Sequence, residues 1–498
     1  MIALLAARNL TLRPWRTVLL LLGFSVGVAT MIVLLSVGEA LLDQARDEKL
    51  VGGGSITVLP EGVDVEVLKT GGLGGMFFSI DHARFIYRQL LAARRLRQDE
   101  TSVAPQIEGK LVYLRTRSGE EIPVRGGADI PSLNRGAGVA PNVVSGAWVD
   151  DTLDRRWYAP TFAELRHEID HFHLPTGAAA TDPSWAEWHY FNVITPDRQR
   201  WFFVSFIVAG TVAKPDSSWG GQVLVTMHGQ GAPERRFTSS VRARDVHFTT
   251  DSANLVVGTG TVRVLPDGRY AVHAAVREDG TGSPLVLDLT VSPAEGAYFP
   301  GAAVASGVVS GYVVPALRAS ASGRVCVAAA CEQLDTVQAY HDHNWGVWRG
   351  VSWEWGASRA GAYTLLYGRV QAPDSLGQPQ PLFVYLVDSS GFVGVFRPRE
   401  ISYVDGRTTI VDGRRISTPS RGELVDVRGS DTVRIALDIE DASATDTRRS
   451  LIERGDASAA RKLLKPYFVQ MKGTATISGR VRGIPLAGTG AGFFETYR

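Results

Sequence analysis

Cysteine is nearly absent from this chain. Its 498 residues hold 2, Cys326 and Cys331, so no thiolate-rich zinc site can be completed. A charge excess of either sign is also missing. Lys+Arg 52 stand against Asp+Glu 51, a formal charge of +1. Nucleic-acid binding and polybasic attachment to a membrane surface need a basic excess, so the balance argues against both. No G-x-x-x-x-G-K-[ST] stretch occurs, which removes a phosphate-cradling loop of that kind. No repeat of about 20–50 residues recurs, which argues against a propeller or solenoid. Apolar residues at 45% and charged residues at 21% exclude wholesale disorder. At about 100–200 residues per domain, the length predicts two to four domains. The 53 glycines predict many turns.

Long apolar runs are missing, with one exception. Val18 to Gly38 is a run of residues without a charge, long enough to span a bilayer as a helix. Arg8, Arg13 and Arg16 precede it. Glu39, Asp43, Asp47 and Glu48 follow it, against Arg46 and Lys49. The positive-inside rule then places residues 1–16 in the cytoplasm and the bulk of the chain on the extracytoplasmic, periplasmic side. A cleaved signal peptide is the alternative, but its apolar region is usually only about 7–15 residues. A retained single-pass anchor is therefore expected at residues 17–38, in the inner membrane.

The rest of the chain divides by texture. Residues 51–76 are glycine-rich and read as loop. Asp81 to Arg97 has helical spacing of Phe85, Ile86, Leu90, Leu91 and Leu96. From about residue 147 the texture turns to short runs rich in β-branched and aromatic residues. Arg200 to Val208, Gln222 to Met227, Leu255 to Leu265 and Arg269 to Val276 belong to it. Pro266-Asp267-Gly268 reads as a hairpin turn. The pattern resumes at Tyr363–Val370, Leu382–Val387, Val393–Phe396, Thr432–Ile439 and Ala475–Val481, with helical texture at Arg449 to Leu464. Many short strands joined by turns predict antiparallel sandwiches or barrels, and about 350 residues of them predict two β units. Cys326 and Cys331 flank Val327 to Ala330. If that segment is a hairpin, the two become cross-strand partners at disulfide distance; otherwise they are buried free thiols.

The densest chemistry lies in Tyr340-His341-Asp342-His343-Asn344-Trp345-Gly346. Trp348, Trp353 and Trp355 follow. On a regular strand Tyr340, Asp342 and Asn344 point one way and His341, His343 and Trp345 the other. Three readings stay open. Asp342 is a buried acid kept protonated by an apolar, aromatic surround. Alternatively His341 and His343 are metal ligands, completed from His167, Glu168, Asp170, His171 and His173. Or the segment is a buried polar network pinning the junction of two β units. Glu354, on the other face from Trp353 and Trp355, reads as a surface or inter-strand group.

Two resemblances add to this reading. Tyr340 to Gly346 is similar to the signature of the carotenoid 1,2-hydratase (hydroxyneurosporene synthase) and AttH-like family. Glu187-Trp188-His189-Tyr190 resembles that family's Glu-Trp-Trp-Tyr strand, with His189 where a second Trp is usual. Gly490 to Tyr497 resembles its glycine-rich closing strand, ending in an acid and an aromatic. The resemblance spans about residues 147–498. It implies a mainly β fold of two consecutive lipocalin-like antiparallel barrels, at 147–347 and 348–498. It also implies a hydro-lyase that adds water to an isolated alkene of a long apolar isoprenoid, as in carotenoid biosynthesis, with neither metal nor organic cofactor. Asp342 then carries the proton, with Tyr340, His341 and His343 in support. Asn344, Trp345, Trp353, Trp355, Trp188 and Tyr190 shape the substrate site. Separately, Ala7-Arg8-Asn9-Leu10, Pro14-Trp15-Arg16-Thr17 and Leu22 to Gly27 resemble the first helix of macrolide-exporter-type ABC permeases. Ser55 to Pro60 and Ser102 to Gly127 are compatible with a shortened version of that family's extracytoplasmic domain, a small α+β segment at 39–146. No further spanning run follows, so the three remaining permease helices are missing. That resemblance implies ABC-transporter components as partners and, as the alternative function, a non-enzymatic lipid-binding module.

Overall fold

The computed structural model describes residues 14–46, 106–117, 119–129, 161–195, 200–212, 218–229, 234–303, 310–371, 381–448 and 465–498 except 482, and residues 87, 103, 461 and 463. Most of the expected helices at 81–97 and 449–464, and all of the glycine-rich 51–76, lie outside the described residues. So does most of the permease-like stretch. The chain forms two compact units, residues 1–87 with 100–158, and residues 88–99 with 159–498.

The first unit contains helix α1 (Pro14–Arg46) and an antiparallel hairpin, β1 (Gln106–Arg115) with β2 (Glu121–Asp129). Residues Pro14–Ser36 of α1 are long and apolar enough to cross a membrane. Leu19, Leu22, Phe24, Val26, Ile32 and Leu35 of that stretch are exposed rather than packed.

The second unit is mainly β, two consecutive lipocalin-like antiparallel barrels. Eight strands close the first. They are β3 (Trp185–Ile194), β4 (Arg200–Gly210), β5 (Trp219–Gly229), β6 (Arg235–Arg242), β10 (Tyr270–Glu278), β11 (Pro284–Pro293), β13 (Ser310–Val327) and β14 (Ala330–Val347). They run in the order β11-β13-β14-β3-β4-β5-β6-β10, and the pairing of β10 with β11 completes the ring. Short strands β7 (Val246–Phe248), β8 (Leu255–Val257) and β9 (Gly260–Val264) extend from β10, and β12 (Phe299–Ala303) pairs with β13. The run read as one strand at Leu255–Leu265 is two, because the chain turns at Gly258, whose φ of +59° suits glycine. The turn at Pro266-Asp267-Gly268 joins β9 to β10, with Gly268 N–H donating to the Leu265 carbonyl at 2.8 Å.

Nine strands form the second barrel: β15 (Ser352–Ala360), β16 (Tyr363–Gln371), β17 (Phe383–Asp388), β18 (Gly391–Phe396), β19 (Ser402–Val411), β20 (Arg414–Arg428), β21 (Asp431–Asp446), β22 (Tyr467–Val481) and β23 (Ile484–Tyr497). Their order is β18-β17-β16-β15-β23-β22-β21-β20-β19. Among the described residues no ladder joins β18 to β19. The β18 end is tied to β20 instead: the Arg397 N–H donates to Asp426 at 2.7 Å, and Arg428 Nη1 to the Val395 carbonyl at 3.3 Å.

Strand alternation sorts the side chains into three cores. One fills the first barrel, with Phe191, Phe202, Phe206 and Phe237. One fills the second, with Tyr367, Met471, Ile477 and Phe494. The third lies between the barrels, where their outer faces meet. Tyr190, Trp201, Phe203, Tyr312, Tyr340, Trp355, Phe383 and Phe493 make it. This aromatic seam replaces solvent on one face of each sheet, so strands there are buried on both sides. Cys326 and Cys331 are directly opposed in the β13–β14 hairpin and form a disulfide.

Candidate functional site

Strand β14 borders two interiors. Its pairing with β3 is regular from Gln338↔Ile194 to Val347↔Trp185, so alternation holds along the whole motif. The register shifts on β14 fall on its other side, against β13. Tyr340, opposite Asn192, and Asp342, opposite Tyr190, therefore point into the seam. His341 and His343, opposite Phe191 and His189, point into the first barrel.

In the seam, Asp342 is buried at 4% exposure. Tyr340 Oη donates to its Oδ2 at 2.8 Å, and Asn344 Nδ2 to its Oδ1 at 2.6 Å. Trp355 Nε1 donates to Tyr340 Oη at 2.9 Å, fixing that hydroxyl from the second barrel. Among the described residues Asp342 forms no ion pair. Burial pushes its carboxyl up to about 8, with the charge of Glu495 adding to the rise and the bonds from Tyr340 and Asn344 opposing it. Glu495, on β23, is buried in the same seam. It accepts from Trp353 Nε1 at 2.9 Å and Gln470 Nε2 at 3.3 Å. Burial raises it too, but those bonds hold it at about 6. Two carboxyls thus share one apolar space with their proton affinities set apart. Asn192 Nδ2 donates to Tyr190 Oη at 2.9 Å. A crevice of about 10 Å³, room for one water, opens beside this group, lined among others by Tyr340, Asn192 and Phe493. Asp342 is not among its lining residues; it stands one hydrogen bond away, through Tyr340.

Inside the first barrel a second polar group gathers. Helix α2 (Phe162–Ile169) begins with a capping box, Thr161 and Glu164 exchanging bonds, and ends at Asp170. Asp170 accepts from Tyr270 Oη at 2.5 Å and His343 Nδ1 at 2.8 Å. Burial alone would raise Asp170, but the adjacent imidazoles of His341 and His343 hold it well below the usual carboxylate range. His343 Nε2 lies 2.9 Å from Glu187 Oε1. Burial opposes its charge, yet Asp170 and Glu187 push His343 up to about 9. The His173 N–H donates to both Glu187 oxygens, at 2.8 and 3.0 Å.

The structure divides the residues expected at one site. Tyr340, Asp342, Asn344, Trp355 and Tyr190 do meet in the seam, and Trp353 joins them through Glu495. His341 and His343 do not; β14 aims them into the barrel, so their expected support of Asp342 at the reacting atoms is corrected. Trp345 shares their face and stacks on His173 at 3.4 Å between ring centroids, which also removes it from the seam. A Cβ at Gly311, its cross-strand partner, would fall 2.3 Å from the Trp345 indole, so glycine is what lets the ring lie there. Trp188 packs on Trp348 at 4.4 Å. Glu354 is no surface group: it is buried inside the second barrel, accepting from Tyr403 Oη and Thr496 Oγ1, each at 3.0 Å. Of the cluster 167–173, Asp170 and His173 reach the histidine pair. His171 instead packs beside His173, with its Nδ1 3.2 Å from the Phe172 carbonyl.

Glu187, His189 and Glu495 stand out in the sequence only as parts of the stretches Glu187–Tyr190 and Gly490–Tyr497. Their roles follow from strand pairing, which brings residues over 150 positions apart face to face. Tyr270 carried no local signal.

No protein-family model and no curated protein matches the chain. Among solved structures it is similar to an AttH-type protein from Nitrosomonas europaea, at 16% identity and a TM-score of 0.44, over 66% of this chain and 100% of the other. Kievitone hydratase from Nectria haematococca aligns at 13% and 0.38, over 65% of this chain and 93% of the other. CghA in complex with Sch210972 aligns at 13% and 0.42, over 66% and 94%. Likeness at these scores carries no argument about chemistry, which rests on the seam itself.

Proposed function

We propose that this chain is a hydratase-type enzyme, tethered to a membrane by α1, that adds water to an isolated alkene at the end of a long apolar isoprenoid such as an acyclic carotenoid. One observation carries the reading. Asp342 is a carboxyl buried in an aromatic seam, hydrogen-bonded by Tyr340 and Asn344, and without an ion-pair partner among the described residues. Such a group stays protonated at neutral pH and so has a proton to give, provided the cation is stabilised as it forms.

The step balances. Protonated Asp342 turns its O–H onto Tyr340 Oη, reversing the hydrogen bond that the carboxylate accepts; the Tyr340 hydroxyl proton then goes to the less substituted alkene carbon as the Asp342 proton replaces it. The π pair forms the C–H bond and leaves a tertiary cation. Water adds to that cation, and its surplus proton goes to Glu495, the carboxylate of lower proton affinity. Exchange of that proton back to Asp342 resets the site. The faces of Trp355, Tyr340 and Phe493 stabilise the cation, at about 1–2 kcal/mol per well-placed ring. The crevice beside Tyr340 has a volume of about 10 Å³, room for one water, so an alkene reaches Tyr340 only when seam side chains shift. The Cys326–Cys331 disulfide supports an oxidising, extracytoplasmic setting for the barrels. The permease-like start of the chain leaves an ABC exporter as the partner class within this reading.

The test is turnover. Full-length protein in detergent, given an acyclic carotenoid, yields a product heavier by one water. Asp342→Asn lowers the rate by about 10²–10⁴-fold with folding retained. Unchanged turnover in that variant overturns the acid role. Polyene binding with no product from the native chain makes it instead a lipid-binding module.

A further inference from the structure

The barrel interior holds chemistry that the seam does not use. Asp170, His189 and His341 converge there from the end of α2, from β3 and from β14. Their potential ligand atoms all lie within 4.8 Å of one another. His341 Nε2 is 3.5 Å from Asp170 Oδ2, and His189 Nδ1 is 3.9 Å from Oδ1. All three side chains are buried, both imidazoles at 0% exposure.

The hydrogen bonding leaves these imidazoles incomplete. His341 Nδ1 lies 3.1 Å from the Tyr190 carbonyl. In the neutral ring the proton sits there, and the Nε2 lone pair faces the carboxylate. His189 is barer still: among the described residues neither ring nitrogen has a partner in good hydrogen-bond geometry, the nearest influences being the Asp170 carboxylate and the backbone of Ala253. A buried polar atom left unpaired costs about 1–3 kcal/mol, and such orphans call for an ion or water. Around the three stands an outer ring. Tyr270 Oη and His343 Nδ1 bond Asp170, and Glu187 holds the far nitrogen of His343. Supporting groups of this kind orient a carboxylate that binds metal.

We propose that Asp170, His189 and His341 bind one divalent transition-metal ion of the zinc class inside the first barrel. Two imidazoles and a carboxylate favour zinc, iron(II) or cobalt(II) over magnesium or calcium. Metal–ligand bonds of about 2.0–2.2 Å in a tetrahedral set bring ligand atoms to about 3.3 Å apart. The distances in the cluster need only small side-chain adjustments to reach that. His189 is also where this sequence departs from the Glu-Trp-Trp-Tyr pattern that it resembles. The ion ties the end of α2 to two barrel strands. It lies on the opposite face of β14 from Asp342, so it is independent of the acid reading.

The test uses full-length protein in detergent, stripped with chelator, equilibrated with Zn²⁺ and analysed by elemental mass spectrometry. We expect about one zinc per chain and a higher Tm on loading. Co²⁺ in its place gives visible absorption bands of a low-symmetry, imidazole-ligated site. His189→Gln weakens zinc binding by on the order of 100-fold or more. His228→Gln, a buried histidine outside the cluster, keeps native affinity, and so does Asp342→Asn. Absence of stoichiometric zinc in the folded native chain overturns the proposal, as does undiminished zinc in His189→Gln. Should that variant fail to fold, the Co²⁺ spectrum of the native chain decides: no imidazole-ligated bands, no site.

Discussion

At the residue scale the seam depends on hydroxyl placement. Tyr340 Oη accepts from Trp355 and donates to Asp342. Tyr340→Phe leaves the Trp355 N–H and Asp342 Oδ2 buried without their partner, at about 1–3 kcal/mol each, while Asn344 still bonds Asp342 Oδ1. We expect a marked fall in Tm by calorimetry together with loss of turnover, whereas Tyr363→Phe, at an exposed hydroxyl of the second barrel, changes neither. Much of this was legible in the sequence. The parity of Tyr340, Asp342 and Asn344 against His341, His343 and Trp345 follows from a strand's two-residue period, and β14 obeys it. What was not legible is which side faced which space. That is decided by β3 and β23, whose Tyr190 and Glu495 lie about 150 residues away in the chain on either side, and no local pattern encodes such a meeting.

At the element scale, β13 and β14 are 18 residues each, long enough to serve the barrel at one end and the seam at the other. The disulfide sits at their turn, eleven positions from Asp342 along β14. Closing so short a loop stabilises by at most about 2 kcal/mol in the chain-entropy view. Replacing both cysteines by serine is expected to lower Tm modestly and leave turnover unchanged; a collapse of turnover would show that the hairpin end reaches the seam. The sequence marked this hairpin through its cysteines. It did not mark β13 upstream of them. Ser310 to Ser322 is rich in small residues, which give little strand texture but allow the close packing that β11, β14 and Trp345 impose on it.

For the whole molecule, two barrels joined back to back bury carboxyls that a single barrel would leave wet. Glu495 is held at about 6 against an ordinary 4.5. Below the unfolded value both states are protonated and no penalty exists. As pH rises through about 6 the unfolded chain has already released its proton, so this group's contribution to stability is lost. Facing it are Asp342 and Tyr340 on β14, Tyr190 on β3 and Tyr497 on its own strand. Glu495→Gln removes that loss. The variant's Tm relative to native is expected to climb between pH 4 and pH 8, read by circular dichroism, and a flat difference contradicts it. The two-barrel plan was legible because turn and strand texture recurs from about residue 147 to the last strand, interrupted by helical texture only at 449–464. The seam was not, since an outward face of one barrel looks like any buried face until its partner is placed.

The tryptophans of the seam have one further consequence. Trp188, Trp348, Trp353 and Trp355 line the junction between the barrels, and Trp353 and Trp355 are tied by hydrogen bonds to Glu495 and Tyr340. Their emission falls where conjugated polyenes absorb. A polyene docked at the junction must therefore quench the protein's own ultraviolet fluorescence by energy transfer, and a saturated isoprenoid of the same shape must not. Arrival at the junction is thus visible as light lost, with no label attached.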